Sequence, residues 1–408
     1  MKKFDIPVQF QSSFMGKLKM MRRAMDPRKK DWTPTQIQAG SLTLIFPRHM
    51  GFCYGVENAI EIAFRAVHEN PGKRVFLLGE MIHNPAVNED LKSLGVSFIM
   101  DTAGNRLIDW NTLSNEDIVI TPAFGTTLEI DDELQSIGVD VRRYNTTCPF
   151  VEKVWKRSNE IGKEGYTIVI HGKYKHEETR ATFSHANQNA KSIVVRDMKE
   201  VKWLTDYMLG NSSVKEFYER FEGKCTLGFD PDVDLKRIGV VNQTTMLATE
   251  TEEISQYLKG VVTQLYGDGS FADTRDTLCY ATNENQMAAL ELLRQEADMA
   301  LVIGGYNSSN TFQLATILNQ KMKTYFIESA DCIDGGIISF FDLNQMKVVT
   351  EENPTWLDKK RICIASGASC PDTLVDQLVG KLMEERNERF DPELWVNQWK
   401  ELVDQNIG

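Results

Sequence analysis

The chain has 408 residues, of which 42% are hydrophobic and 25% are charged, and its formal net charge is −12. This length and composition predict a globular protein of two or three domains. The negative charge argues against nucleic acid and anionic membrane surfaces as partners, and no apolar run approaches the roughly 18 residues that span a bilayer.

The first 40 residues are polar and predict an N-terminal arm. They lack the continuous apolar core of a secretory signal, and acidic residues at positions 5, 26 and 31 interrupt the composition of an organellar transit peptide. We therefore expect a cytoplasmic protein, with the plastid stroma as the alternative. The basic stretch from Lys17 to Lys30 is either a docking site for an acidic protein or a solvated surface.

From about residue 43 onward, apolar runs alternate with amphipathic segments, which predicts α/β domains with mainly parallel sheets. The predicted strands are 43–46, 74–79, 117–123, 166–170, 237–241, 299–305, 323–327 and 361–366. The predicted helices are 56–69, 149–162, 251–267, 284–297, 311–321 and 372–388. The acidic stretch 204–235 is interpreted as an insertion, and the tail after residue 388 is a candidate helix that packs back on the body.

The segment HGKYKHEET (171–179) follows a predicted strand, and ligands bind at the carboxyl ends of parallel strands. A zinc-protease helix would need a second histidine where Arg180 stands, so the segment does not predict a metal site by itself. A histidine that binds an anion and a carboxylic acid that moves a proton both remain open.

Seven cysteines without a C-x-x-C pair argue against a disulfide framework and a local zinc knuckle. Cys53, Cys148 and Cys279 each precede a helical pattern, and a helix N-terminus favours the thiolate. Thiolate-only sites suit zinc or an iron–sulfur cluster. Cys363 and Cys370 compete for the same role, and a small buried side chain is the simpler interpretation of any single cysteine.

Two further segments, 304–318 and 364–375, place serine or asparagine between a strand and an apolar helix. Backbone N–H groups and hydroxyls at a helix N-terminus can bind a phosphate, although plain capping is the alternative. His83, Gln243, Thr244 and Thr245 also follow predicted strands.

Several blocks occur together in one order along the chain. They are GFCYGVENAI, IHNPAVN, NTTCPFVEKVW, HGKYKHEET, NQTTMLATETEEI, DTLCYAT, GGYNSSNT and SGASCPDTLV. From about residue 43 to 380 the sequence thereby resembles the 4-hydroxy-3-methylbut-2-enyl diphosphate reductase (IspH/LytB) family, and it is similar to the plant and cyanobacterial branch.

The resemblance implies three α/β domains in a trefoil arrangement around a central [4Fe–4S] cluster, with an N-terminal extension. The expected division is an arm (1–40), three domains (41–147, 148–278 and 279–369) and a C-terminal segment (370–408) that returns to domain 1. Cys53, Cys148 and Cys279 would bind three irons and leave the fourth iron open.

The implied reaction reduces (E)-4-hydroxy-3-methylbut-2-enyl diphosphate, an allylic diphosphate, at the last step of the methylerythritol phosphate route to isoprenoids. The open iron would bind the allylic hydroxyl, and two electrons from ferredoxin or flavodoxin would cleave its C–O bond. Water leaves, and protonation gives isopentenyl or dimethylallyl diphosphate.

The resemblance also assigns roles to individual residues. The diphosphate-binding positions match His83, His176, Ser308, Ser309, Asn310 and Ser369. Glu178 matches the proton-relay acid, and Thr244 matches the threonine that positions the hydroxyl. The nearby diphosphate would raise the pKa of the Glu178 carboxyl, so that it holds its proton until transfer. Phe124 stands where many bacterial members carry a histidine, and a phenylalanine cannot donate a hydrogen bond.

Two other functions remain open from the residues alone. The same cysteines and histidines would suit a zinc hydrolase, and an iron–sulfur electron carrier without catalysis would need only the cysteines.

Overall fold

A computed structural model describes residues 4–272, 274, 277–352 and 358–407. Its contacts divide the chain into two compact units. Unit 1 comprises Met1–Glu57, His83–Pro85 and Tyr280–Gly408, and unit 2 comprises Asn58–Ile82 and Ala86–Cys279. The five-part division expected from the sequence stays a prediction. No helix in the described ranges combines the length and the apolar character that crossing a membrane requires.

Strands and helices alternate along most of the chain. The strands are β1 (Thr35–Ala39), β2 (Leu42–Phe46), β3 (Val75–Leu77), β4 (Ser97–Phe98), β5 (Ile118–Ile120), β6 (Thr167–His171), β7 (Ser192–Val195), β8 (Ile238–Asn242), β9 (Phe271–Ala272), β10 (Met299–Ile303), β11 (Thr324–Ile327), β12 (Ile333–Asp334), β13 (Ile337–Asp342), β14 (Lys347–Glu352) and β15 (Arg361–Ser366). The helices are α1 (Phe14–Met25), α2 (Tyr54–Glu69), α3 (Pro85–Ser93), α4 (Leu128–Ile137), α5 (Pro149–Lys163), α6 (Glu177–Ala186), α7 (Met198–Met208), α8 (Val214–Arg220), α9 (Pro231–Asp234), α10 (Ala248–Tyr266), α11 (Tyr280–Leu293), α12 (Ser309–Leu318), α13 (Asp372–Glu384) and α14 (Pro392–Ile407).

Unit 1 is built on a mixed sheet with the strand order β1-β2-β15-β10-β11-β13-β12, and β14 pairs with β13. The central strands β2, β15, β10 and β11 are parallel to one another, while β1 and β13 run antiparallel to their neighbours. Every residue of β10 and of β11 is buried, as expected for parallel strands covered on both faces. The loop at the carboxyl end of β10 leads into α12, and the loop at the carboxyl end of β11 emerges beside it.

Unit 2 contains two parallel sheets, with the strand orders β4-β3-β5 and β7-β6-β8-β9. In the second sheet, β6 lies between β7 and β8, and all residues of these three strands are buried. Since neighbouring parallel strands end at the same edge, the loops after β6 and β8 emerge side by side.

All eight strands and all six helices predicted from the apolar pattern occur, with their ends shifted by a few residues. The largest shift is at α11, which begins at Tyr280, directly after Cys279, rather than at residue 284. The tail forms α14, which contacts β1 and α1 within unit 1 and whose Trp395 and Trp399 are buried.

The stretch 204–235, interpreted from the sequence as an insertion, contributes to the core of unit 2. Phe217, Phe221 and Phe229 are buried together with Val169 of β6 and Val240 of β8. The acidic side chains that suggested an insertion lie on the outer face, and the aromatic residues between them supply the packing surface.

Candidate functional site

Each of the three cysteines singled out by the sequence lies directly before a helix. Cys53 precedes α2, Cys148 is the N-terminal cap of α5, and Cys279 precedes α11. Their backbone N–H groups donate to the carbonyls of Ala368 (3.2 Å), Ala123 (3.0 Å) and Thr244 (3.4 Å), respectively. The positive end of a helix dipole favours a thiolate at this position, so the local structure suits metal ligation.

The competing cysteines have a different environment. Cys363 lies within β15 without exposed surface, and burial raises the pKa of its thiol to about 12. Cys370 is equally buried, and burial raises its pKa as well. Cys225, in the insertion, also has a pKa of about 12 because of burial. Thiols that resist ionisation are poor metal ligands, which favours the three cysteines at the helix starts.

In unit 2, the structure brings Glu178 and Thr244 together at the adjacent ends of β6 and β8. Glu178 lies in the first turn of α6 and is only 2% exposed. The backbone N–H of Thr244 donates to Glu178 Oε1 at 2.5 Å, and the Thr244 hydroxyl donates to Oε2 at 3.0 Å. Since the Thr244 carbonyl accepts the N–H of Cys279, the carboxyl, the hydroxyl and this cysteine form one connected group.

His176 is the N-terminal cap of α6, where its Nδ1 accepts the N–H of Glu178 at 3.2 Å. With Nδ1 as the acceptor, a neutral ring carries its proton on Nε2 and can donate it to an anion. Phe124 packs edge-on against this ring, with 5.5 Å between the ring centroids. This contact with Phe124 restrains the orientation of the His176 ring.

Gln243 joins the two loops that carry Glu178 and Thr244. Its side chain is fully buried, and its Oε1 accepts both the N–H of Lys173 and the hydroxyl of Thr179 at 3.1 Å. Its Nε2 donates to the Thr245 hydroxyl at 2.9 Å. Gln243 and Thr245 thus connect the two loops.

A pair that sequence reasoning missed fixes the Cys279 loop. The Thr277 hydroxyl donates to Asn242 Oδ1, and the Asn242 side-chain amide donates to the Gln243 carbonyl at 3.0 Å. Asn242 ends β8 two residues before Thr244, while Thr277 stands two residues before Cys279. An asparagine ending an apolar strand is too common a feature to identify this pair from the sequence.

In unit 1, the structure brings Ser308, Ser369 and the backbone of His83 together. The Ser369 hydroxyl lies 3.3 Å from both the His83 carbonyl and the Ser308 hydroxyl. Ser308 caps α12 by accepting the N–H of Thr311 at 3.3 Å, and Ser309 is the first residue of that helix. A Cβ at Gly305 would lie 2.6 Å from the His83 carbonyl, so only glycine permits this approach.

Asn310, in the first turn of α12, has a half-satisfied side chain. Its Oδ1 accepts the N–H of Ala368 at 2.8 Å and the amide of Asn285 at 3.4 Å. Its Nδ2 is buried and has no acceptor among the residues that the structure describes. An unpaired buried donor costs about 1–3 kcal/mol, so this amide is available to a further acceptor. Asn285 and the Ala368 N–H were not foreseen, because neither belongs to a recognisable pattern.

The structure defines an α/β protein in which three cysteines stand directly before helices and hydroxyl and amide side chains surround the N-terminus of α12. The family described as "LytB protein" matches residues 44–383. The 4-hydroxy-3-methylbut-2-enyl diphosphate reductase of a Nostoc species is 37% identical over 93% of this chain and 91% of its own length. The enzyme of the same name from a Synechococcus species is 38% identical over 86% of this chain and 87% of its own length.

Solved structures agree with this relationship. A structure of (E)-4-hydroxy-3-methyl-but-2-enyl diphosphate reductase, 26% identical, covers 84% of this chain and 99% of its own, with a TM-score of 0.51. The E-1-hydroxy-2-methyl-but-2-enyl-4-diphosphate reductase of Plasmodium falciparum, 19% identical, shares the fold with a TM-score of 0.62 over 92% of this chain and 100% of its own. The chain belongs to the LytB family.

His171 ends β6 and serves the core. It has no exposed surface, and its Nδ1 lies 3.0 Å from the Thr251 hydroxyl. Burial lowers its pKa to about 4, because the charged ring loses its hydration.

This burial predicts a pH-dependent stability. Between about pH 6.5 and pH 4 the unfolded chain binds a proton at His171 that the folded chain does not. The free energy of unfolding should therefore decrease as the pH is lowered through this range. The substitution His171→Asn should reduce this slope, and other groups with shifted pKa values, among them His49 and His185, whose pKa values are also lowered by burial, should account for the remainder. Urea unfolding of both chains at several pH values measures the slopes, and parallel profiles would contradict the assignment.

Proposed function

We propose that this chain reduces (E)-4-hydroxy-3-methylbut-2-enyl diphosphate to isopentenyl and dimethylallyl diphosphate, the last step of the methylerythritol phosphate route. Its family and the names of its relatives support this reaction. The observation that carries the proposal is the buried pair of Glu178 and Thr244, joined through backbone to Cys279. The proposal includes three α/β domains in a trefoil around the cluster, as the resemblance implies.

The proposed cofactor is a [4Fe–4S] cluster bound by Cys53, Cys148 and Cys279. The donor set fits it, because all three thiols stand at helix N-termini whereas three of the other cysteines have pKa values raised by burial. When bound, a cluster with one iron that lacks a protein ligand supplies single electrons and Lewis acidity toward a substrate oxygen. Ferredoxin or flavodoxin is the proposed electron donor.

The diphosphate is proposed to accept hydrogen bonds from histidine, serine and asparagine side chains rather than to pair mainly with lysine or arginine. The proposed residues are His83, His176, Ser308, Ser309, Asn310 and Ser369. In unit 1, the N-terminus of α12 adds backbone N–H groups and the positive end of its dipole, and the Asn310 amide is already oriented by its own Oδ1 contacts. These groups would fix the substrate by its diphosphate and orient its allylic end.

The proton is proposed to pass through Glu178 and Thr244. A threonine hydroxyl can donate and accept at once, so Thr244 can accept from a protonated Glu178 while donating to the substrate hydroxyl. The backbone N–H of Thr244 fixes Oε1, which leaves Oε2 as the oxygen that exchanges the proton with the hydroxyl. Burial of both side chains excludes water that would otherwise compete for the proton.

An anaerobic preparation, reconstituted with iron and sulfide and chemically reduced, tests the proposal against its alternatives. We expect a brown protein with acid-labile sulfide that converts the allylic diphosphate to the two products. A colourless, zinc-containing protein would point to a hydrolase. A reconstituted cluster without turnover would point to an electron carrier.

The substitution Glu178→Gln should lower turnover by roughly 100-fold or more, because an amide cannot supply the proton. Iron content and substrate affinity should stay close to those of the unchanged chain, measured by metal analysis and calorimetry. Glu129→Gln is the matched control, since the Glu129 carboxylate also accepts a hydroxyl, from Ser184 at 2.8 Å. Similar rates for the two variants would remove Glu178 from the mechanism.

The substitution Asn310→Asp should weaken the binding of inorganic pyrophosphate by roughly tenfold or more, because it replaces a donor by a like charge. The carboxylate can still accept the Ala368 N–H, so the loop keeps its anchor. Calorimetric titration measures the affinity. Asn319→Asp, at the exposed end of the same helix, should bind like the unchanged chain, and equal affinities for both variants would argue against a diphosphate at Asn310.

A further inference from the structure

The N-terminal arm (residues 4–34) is attached to unit 1 through its helix α1. Asp376, on α13, caps α1 from outside the helix. Its carboxylate accepts the Ser12 hydroxyl (2.7 Å) and the backbone N–H groups of Ser13 (3.0 Å), Phe14 (3.0 Å) and Met15 (3.1 Å). A negative charge that satisfies the otherwise unpaired first N–H groups of a helix stabilises both its end and its position.

The arm contacts the loop that carries Cys53 on both sides of the cysteine. Aromatic ring pairs join arm residues to this loop or its flanks. They are Phe14 with Phe46 (5.7 Å between centroids), Trp32 with His49 (5.0 Å), Phe10 with Phe52 (6.1 Å) and Phe4 with Tyr54 (5.0 Å). In addition, the Arg48 guanidinium donates to the Asp26 carbonyl at 3.2 Å. The arm is therefore packed along the whole segment from Phe46 to Tyr54.

Lys19 makes the most specific of these contacts. Its ammonium donates to the Met50 carbonyl at 2.7 Å and to both carboxylate oxygens of Asp372 at 2.6 and 2.7 Å. Met50 stands three residues before Cys53, and Asp372 stands three residues after Ser369. Lys19 thus joins the Cys53 loop to the start of α13.

The backbone of the Cys53 loop is shaped for this ion pair. Gly51 has a φ of +76°, and a Cβ at this position would lie 2.1 Å from Asp372 Oδ1 and 2.6 Å from Lys19 Nζ. Only glycine accommodates both the left-handed conformation and the close approach of the two charged groups. The Ala368 carbonyl adds a second fixed point by accepting the Cys53 N–H at 3.2 Å.

Several basic side chains of the arm form ion pairs within the same unit. Besides Lys19, Lys17 pairs with Glu393 at 2.5 Å, Arg22 with Asp31 at 3.0 Å, and Lys29 lies 3.8 Å from Glu284. A positive surface whose charges already face acidic partners has less field to offer an acidic protein. This arrangement favours a bracing role for the arm over a docking role.

We propose that the arm is a brace for the Cys53 loop and that Lys19 is the residue that positions Cys53 as a ligand. The inference deepens the proposed function, on which its cluster readout rests. It assigns the arm to cluster binding rather than to recognition of the electron donor.

The first test needs no cluster. In the full-length chain without metal, Lys19→Met should increase the rate at which iodoacetamide alkylates Cys53 by roughly fivefold, because loss of a partly buried ion pair promotes local opening of the loop. Peptide mass spectrometry follows the reaction, and Cys148 in the same chain is the reference that should not change. Lys17→Met is the matched control, since Lys17 forms an ion pair on the same helix without contacting the Cys53 loop.

The second test follows the reconstituted cluster. Lys19→Met should lose iron to a chelator roughly fivefold faster than the unchanged chain, whereas Lys17→Met should match it and Lys19→Arg should restore most of the retention. In Lys19→Met, the rate of substrate reduction should fall by the same factor whether a chemical reductant or a protein donor supplies the electrons.

The outcomes separate this inference from the proposed function. If the unchanged chain binds no cluster, the proposed function fails, while the alkylation rates still decide on the brace. Equal Cys53 alkylation in Lys19→Met and the unchanged chain overturns the brace, and so does an equal increase at Cys148, which would mean general unfolding. A loss of rate confined to the protein donor would identify the arm as a docking site and would also overturn it.

Discussion

The arrangement of this protein depends on satisfying buried polar groups at the carboxyl ends of parallel strands. Glu178 is the clearest case, because a carboxyl that is 2% exposed would be destabilising without hydrogen-bond partners. Thr244, after the neighbouring strand, donates to both of its oxygens. The pairing exists only because β6 and β8 are adjacent and parallel, so the topology of the sheet fixes the geometry of the proposed proton relay.

The two proposed parts of the site meet this constraint in different ways. The Glu178–Thr244 pair is satisfied entirely by protein groups, which gives a preorganised position for proton transfer. Asn310 uses its Oδ1 within the protein and keeps a buried donor for which the described residues supply no acceptor. The first arrangement suits a group that must hold one geometry during a reaction, and the second suits a group that must gain a contact when an anion binds.

The apolar strands were predictable because burial on both faces leaves a continuous hydrophobic run, as in Met299–Ile303. The position of three cysteines before helices was also predictable, because each cysteine is followed directly by the apolar pattern of its helix. The helix α1 and the packing of the arm were not, because the cap of α1, Asp376, is more than 350 residues away in the sequence. The Asn242–Thr277 pair was missed for the same reason, since the two residues are distant in the sequence and only their contact in the fold shows their role.

Phe124 illustrates how an apolar residue can act where a donor is expected. A phenylalanine cannot bind the diphosphate, but its ring packs on His176, whose Nδ1 is fixed by the N–H of Glu178. The imidazole is therefore restrained on one ring nitrogen by a hydrogen bond and across its plane by an aromatic contact. A ring that is already oriented loses less conformational entropy when it binds an anion, so the packing can offset part of the missing hydrogen bond. On this reasoning, the contact with Phe124 would help His176 to serve as the proposed diphosphate donor without a second histidine at position 124.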